Sequence, residues 1–125
     1  MTGRIPVVHI VDDDAGLRRA LDRLLRAAGF APATYASAEE FLNSSQREPT
    51  DCLVIDIHLG GMSGFDLRSR LAERGENPPI VFVTAHENPE YPLRARQSGS
   101  VLLAKPVPGQ VLLDAVRAAL ADVRR

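Results

Sequence analysis

Short β-branched runs alternate with longer stretches whose apolar residues recur every three to four positions, and that alternation is what most limits the folds open to this chain. Val7-Val8-His9-Ile10-Val11 reads as a buried strand and runs into Asp12-Asp13-Asp14. Ala33-Thr34-Tyr35 is a weaker second strand. Cys52-Leu53-Val54-Ile55 ends at Asp56, Ile80-Val81-Phe82-Val83 at Thr84, and Val101-Leu102-Leu103-Ala104 at Lys105-Pro106. Strands that are nearly continuous in apolar residues are buried on both faces, which in an alternating pattern means a parallel sheet covered by helices.

The helices carry their own punctuation. From Ala15 to Ala28, Leu17, Leu21, Leu24, Leu25 and Ala28 share one face, with Arg18, Asp22 and Arg26 opposite. Asp14 suits the N-cap and Gly29 the residue after the C-cap. Ser37-Ala38-Glu39-Glu40 fits a capping box that opens a short helix through Phe41-Leu42. Pro49 and Thr50 mark a turn, Gly60, Gly61 and Gly64 a flexible loop, and Phe65 to Arg74 a third helix. Asn77-Pro78-Pro79 breaks the chain before the fourth strand. Pro89 and Pro92 confine the fourth helix to a short or irregular piece near Leu93–Ser98. The last helix spans about Pro108 to Val123, with Leu112, Val116, Ala119, Leu120 and Val123 on one face.

At 125 residues there is room for one domain, 1–125, and its 45% hydrophobic and 25% charged residues are those of a globular protein. A net charge of −1 gives no footprint for nucleic acid or an anionic membrane, and no apolar run approaches a membrane span. The N-terminal Met1-Thr2-Gly3-Arg4 leads straight into strand-like sequence, so no secretory signal is expected. A single Cys52 cannot make an internal disulfide, which points to the cytoplasm. Of the 15 basic residues only Lys105 is lysine. Chance is one reading; a need for a compact point charge there is the other.

In an open doubly wound sheet, ligands bind beyond the carboxyl ends of the strands. Asp12 and Asp13, Asp56, Thr84 and Lys105 are all delivered to that edge. Three close carboxylates repel unless a cation joins them, and an all-oxygen set with room for water suits Mg²⁺. The hydroxyl and the ammonium supply what a phosphoryl group in transfer requires, and a carboxylate can be the nucleophile.

The order and spacing of VVHIVDDD, CLVID, VFVTA and LLAKP resemble the receiver domain of bacterial two-component response regulators over the whole chain. The resemblance implies a flavodoxin-like, doubly wound sheet of order 2-1-3-4-5 with five helices. It implies that Asp56 is the phosphoacceptor, that Asp13 and Asp56 hold Mg²⁺ directly with the backbone carbonyl of His58, and that Asp12 acts through water. Thr84 would bind a phosphoryl oxygen and switch, Lys105 would pair with the phosphoryl charge, and Lys105-Pro106 would be cis. The run of three aspartates leaves the register open in principle; Asp14 suits the cap, so Asp12 and Asp13 are taken as the pair. A sensor histidine kinase or phosphotransfer protein would be the donor, with an output partner the sequence does not name. The domain itself would bind neither nucleic acid nor membrane, and would be a monomer or weak dimer.

Three departures stand out. Gly60-Gly61 replaces the usual proline-glycine, predicting a looser loop. Leu102 stands where an aromatic is common three residues before the lysine. The stretch from Gly99 to Lys105 is one residue short. Signal transmission through helix four, strand five and helix five is therefore in question, and Tyr91 is a candidate substitute for the missing aromatic.

Bland readings compete with each site residue. Asp56 could merely end a strand, Asp12 and Asp13 could serve the helix dipole, and Thr84 could be a β-former. His9 reads as a hydrogen-bonded core residue and Cys52 as a small core residue; Asp51 reads as a strand-edge carboxylate and Asp66 as a helix N-terminal one. His58 and His86 either tune water access to the site or are solvated loop residues, and three scattered histidines do not suggest zinc. As to function, a phosphoryl-accepting switch that is not an enzyme is expected. A phosphohydrolase would want a second Asp where His58 stands. A phosphorylation-independent interaction module is the alternative, and the absence of G-x-G-x-x-G argues against a nucleotide site. Whether the domain is stand-alone or part of a larger protein is left open.

Overall fold

The computed structural model describes residues 4–44 and 49–123. The chain runs β1 (Val7–Val11), α1 (Ala15–Ala27), β2 (Ala31–Tyr35), α2 (Ala38–Asn43), β3 (Cys52–Asp56), α3 (Gly64–Glu73), β4 (Ile80–Thr84), α4 (Glu90–Gln97), β5 (Val101–Ala104) and α5 (Gly109–Val123). All paired strands are parallel, in the order β2-β1-β3-β4-β5, as expected.

The period-two alternation of the strands sorts their side chains into two cores. Leu53, Ile55, Ile80 and Phe82 pack with Phe41, Phe65, Leu67 and Leu71 under α2 and α3. Cys52, Val54, Val81 and Val83 face the other way, toward Leu25 of α1 and Leu112, Val116 and Leu120 of α5. All of these are buried, so each central strand is covered on both sides. Helix α1 starts where Asp14 accepts the Leu17 amide, and α2 where Ser37 accepts the Glu40 amide. Glu40 reaches back to the Ala36 amide rather than to that of Ser37, so the box closes one residue further out than expected.

Three boundaries differ from the sequence reading. Strand β2 begins at Ala31, not Ala33, because an edge strand tolerates Pro32. Helix α4 begins at Glu90 rather than near Leu93, with Pro92 in its first turn, where the missing N–H has no intrahelical partner to lose. Asn88 Oδ1 accepts the Glu90 amide there at 2.9 Å. Helix α3 takes in Gly64, capped by a reciprocal Ser63–Asp66 box. Met1-Thr2-Gly3, Arg125 and the side chain of Val123 lie outside the described residues. Among those described, no helix is long and apolar enough to cross a membrane.

Candidate functional site

All five strands end at one edge, and the polar residues that end or follow four of them converge there. Asp12, just past β1, is 1% exposed, and all its polar atoms are engaged. Its amide donates to the Tyr35 carbonyl and its Oδ1 accepts from the Asp14 amide at 2.9 Å. Its Oδ2 accepts from Lys105 Nζ at 3.0 Å, and its carbonyl accepts from Arg18 Nη1 at 2.8 Å. Asp56, the last residue of β3, accepts from the His58 amide on Oδ1 at 3.0 Å and from Lys105 Nζ on Oδ2 at 2.7 Å. A carboxylate oxygen from each of Asp12, Asp13 and Asp56 lies within 4.8 Å of the others. Asp13 is exposed, and among the described residues its carboxylate has no hydrogen-bond or ion-pair partner.

The Lys105 ammonium thus bridges two buried carboxylates. Burial pushes the Asp12 carboxyl up, and the Asp14 amide and Lys105 only partly counter it. Burial works against the charge on Lys105 as well, but its hydrogen bonds to Asp56 and Asp12 prevail and its pKa lies above the ordinary lysine value. Both shifts favour the fold at lower pH, in different pH windows. The proton that Lys105 holds more tightly in the fold stabilises it fully below the unfolded value of about 10.4, and that contribution is lost as pH rises through the higher folded value. Asp12, also raised, favours the fold when protonated and costs stability as pH climbs out of the carboxylate range. The urea midpoint is therefore expected to fall above about pH 10 more steeply in the native protein than in Lys105→Met. Parallel alkaline limbs in the two proteins would contradict the bridge.

Thr84 is buried at the end of β4, but its hydroxyl is turned to its own loop. It accepts from the His86 amide at 3.1 Å and donates to the His86 carbonyl at 3.4 Å, and among the described bonds it makes none to Asp56 or Lys105, although the Thr84 carbonyl accepts the Lys105 amide at 2.8 Å. The Lys105-Pro106 bond is cis, as the resemblance implied.

His58 and His86 are exposed but not free. Their rings stack at 3.8 Å, and Tyr91 places its hydroxyl 3.0 Å from His58 Nε2. Tyr91 also packs against Phe65, over which the Arg94 guanidinium sits at 4.1 Å. The β3–α3 loop is held more closely than its glycines suggested: the Gly64 amide donates to the Ile57 carbonyl and the Met62 amide to Glu39 Oε2. The bland readings hold elsewhere. His9 is buried beside Thr50 Oγ1 at 2.7 Å, Asp51 accepts the Val7 amide, and burial pushes the Cys52 thiol up to about 12.

Arg18 and Tyr91 touch this constellation in ways periodicity did not show. A helical side chain leans toward the helix N-terminus, so an arginine four residues into α1 can reach back over its cap. That rule was the available signal for Arg18.

Comparison with known proteins agrees with this geometry. The family described as response regulator receiver domain matches residues 8–117. The chain belongs to that family. It is a receiver domain, the phosphoryl-accepting signalling unit of response regulators. Nodulation protein W of Bradyrhizobium diazoefficiens is 41% identical over 114 residues, covering 90% of this chain and 50% of that protein. Response regulator protein TodT of Pseudomonas putida is 37% identical over 121 residues, covering 96% of this chain and 53% of that protein. The crystal structure of FixJ-N matches with a TM-score of 0.83 at 30% identity, over 94% of this chain and 95% of that one. The chain thus spans about half the length of the curated relatives it matches.

Proposed function

We propose that Asp56 accepts the phosphoryl group. In this reading Asp13, Asp56 and the backbone carbonyl of His58 are the direct protein ligands of Mg²⁺, with Asp12 acting through water. The observation that carries it is the Lys105 ammonium lying between Asp12 and Asp56 while the Asp13 carboxylate beside them has no partner among the described residues. Three ionised carboxylates and one ammonium leave two negative charges over, which one divalent cation balances. The donors are all oxygens, which suits Mg²⁺. Bound there, Mg²⁺ would neutralise charge on the transferring phosphoryl oxygens.

The rest is done by the chain. A carboxylate oxygen of Asp56 forms the new P–O bond as the donor's P–N bond (phosphohistidine) or P–O bond (acyl phosphate) breaks. The leaving group keeps the bonding electrons and is protonated by water. Lys105, already 2.7 Å from Asp56, stays with the added charge. The aspartyl phosphate carries about −1.5 to −2 where the carboxylate carried one negative charge. Thr84 must give up His86 to reach a phosphoryl oxygen, and that exchange is the switch. A sensor histidine kinase or phosphotransfer protein supplies the phosphoryl group, and the domain acts in the cytoplasm, as monomer or weak dimer, on an output partner. It is consumed as an acceptor rather than turning over as a phosphatase; the position two residues after Asp56, where such enzymes carry an acid, is His58.

Incubated with Mg²⁺ and a small acyl phosphate, the protein is expected to gain one phosphoryl group by intact mass. Chelator or Asp56→Asn should prevent it. An unmodified native protein under those conditions contradicts the reading.

A further inference from the structure

We propose that Arg18 is a positioning residue of this site, an inference that rests on the function proposed above. The half-buried guanidinium donates through Nη1 to the Asp12 carbonyl at 2.8 Å. It is the only contact from α1 side chains to the backbone between Asp12 and Asp13 among the bonds described. That peptide carries both the buried carboxylate locked to Lys105 and the exposed Asp13 carboxylate left for a cation.

The contact is made against an electrostatic cost. A cation near a helix N-terminus opposes the dipole, and α1 has no acidic residue in its first turn to offset it. Asp22, four residues on, pairs instead with Arg26 at 3.2 Å, in the acid-before-base order that a helix favours. Arg18 is left to close the fourth side of Asp12, whose amide and two carboxylate oxygens are held by Tyr35, Asp14 and Lys105. With all four atoms tied, the Asp12–Asp13 peptide has one orientation, and Asp13 is presented from a fixed backbone. Without Arg18 that peptide can rotate at the carbonyl end, and the cost falls on whatever Asp13 binds.

Arg18→Met keeps the stem and removes the donors; Arg18→Lys restores one donor. Two measurements separate the possibilities. Hydrogen exchange of the Asp14 amide, which donates to Asp12 Oδ1, reads the loop in metal-free protein. Calorimetric titration with Mg²⁺ reads the site. The Met variant is expected to exchange about ten-fold faster at Asp14 and to bind Mg²⁺ about ten-fold more weakly, the equivalent of one charge-assisted hydrogen bond. The Lys variant should recover most of both losses. A Met variant matching the native protein in both measurements, or a Lys variant no better than Met, overturns the proposal. Should the native protein itself not bind Mg²⁺, the metal assignment fails, and the Asp14 exchange rates alone decide Arg18.

Discussion

Lys105→Met is expected to slow phosphoryl uptake by Asp56 by about 10²- to 10³-fold, the usual cost of removing one preorganised electrostatic stabiliser. The substitution keeps most of the stem and deletes the ammonium that sits 2.7 Å from Asp56 and 3.0 Å from Asp12. Both carboxylates are nearly fully buried, and they would then face each other with no cation between them. Asp12, which burial already pushes up, would lose the cation that partly counters it, and the fold would lose roughly 2 kcal/mol, below the full range for breaking a buried pair because Lys105 is partly solvated. Mg²⁺ should therefore raise the melting temperature of the variant more than that of the native protein. A time course of intact mass, with thermal melts at increasing Mg²⁺, checks both halves. Uptake within ten-fold of native, with equal stabilisation by metal, would remove Lys105 from the mechanism.

Gly64→Ala should cost about 2 kcal/mol and impair phosphoryl uptake as well, although alanine is the better helix former. A Cβ on Gly64 would lie 2.7 Å from the Asp56 carbonyl oxygen, 2.9 Å from Ile55 Cγ2 and 3.1 Å from Ile57 Cα. Backbone atoms of a central strand cannot move aside as a flexible side chain can. Helix α3 must back away, breaking the bond from the Gly64 amide to the Ile57 carbonyl, or Asp56 must shift. Misplacing a reacting group by about 1 Å costs on the order of 10²-fold in rate. Denaturant midpoints and the same phosphorylation assay read the two effects. A native-like midpoint would mean that the close approach is relieved without cost.

The strand ends were legible in the sequence because two simple rules meet there. Continuous apolar runs mark buried parallel strands, and parallel strands deliver their next residues to one edge. Asp12, Asp13, Asp56 and Lys105 followed from that placement alone. Helix α4 starts earlier than its prolines suggest because Pro92 falls within the first turn, where a proline breaks nothing. The reach of Arg18 to the Asp12 carbonyl is not legible because periodicity records which face a residue occupies and not how far its side chain extends. Thr84 was rightly put at the edge, but its hydroxyl bond to His86 depends on the path of the β4–α4 loop, which no spacing rule gives. The bond from Tyr91 to His58 joins residues 33 apart in the sequence and arises only once α4 packs beside the β3–α3 loop.

Reductive trapping tests the central assignment most directly. Borohydride converts an aspartyl phosphate to homoserine, so protein loaded from an acyl phosphate in the presence of Mg²⁺, reduced and digested, reports the acceptor by peptide mass. Homoserine at position 56, and none at 12 or 13, is the expected result. Homoserine at either of those positions, or at none, would contradict a site in which Asp56 receives the phosphoryl group while its neighbours hold the metal.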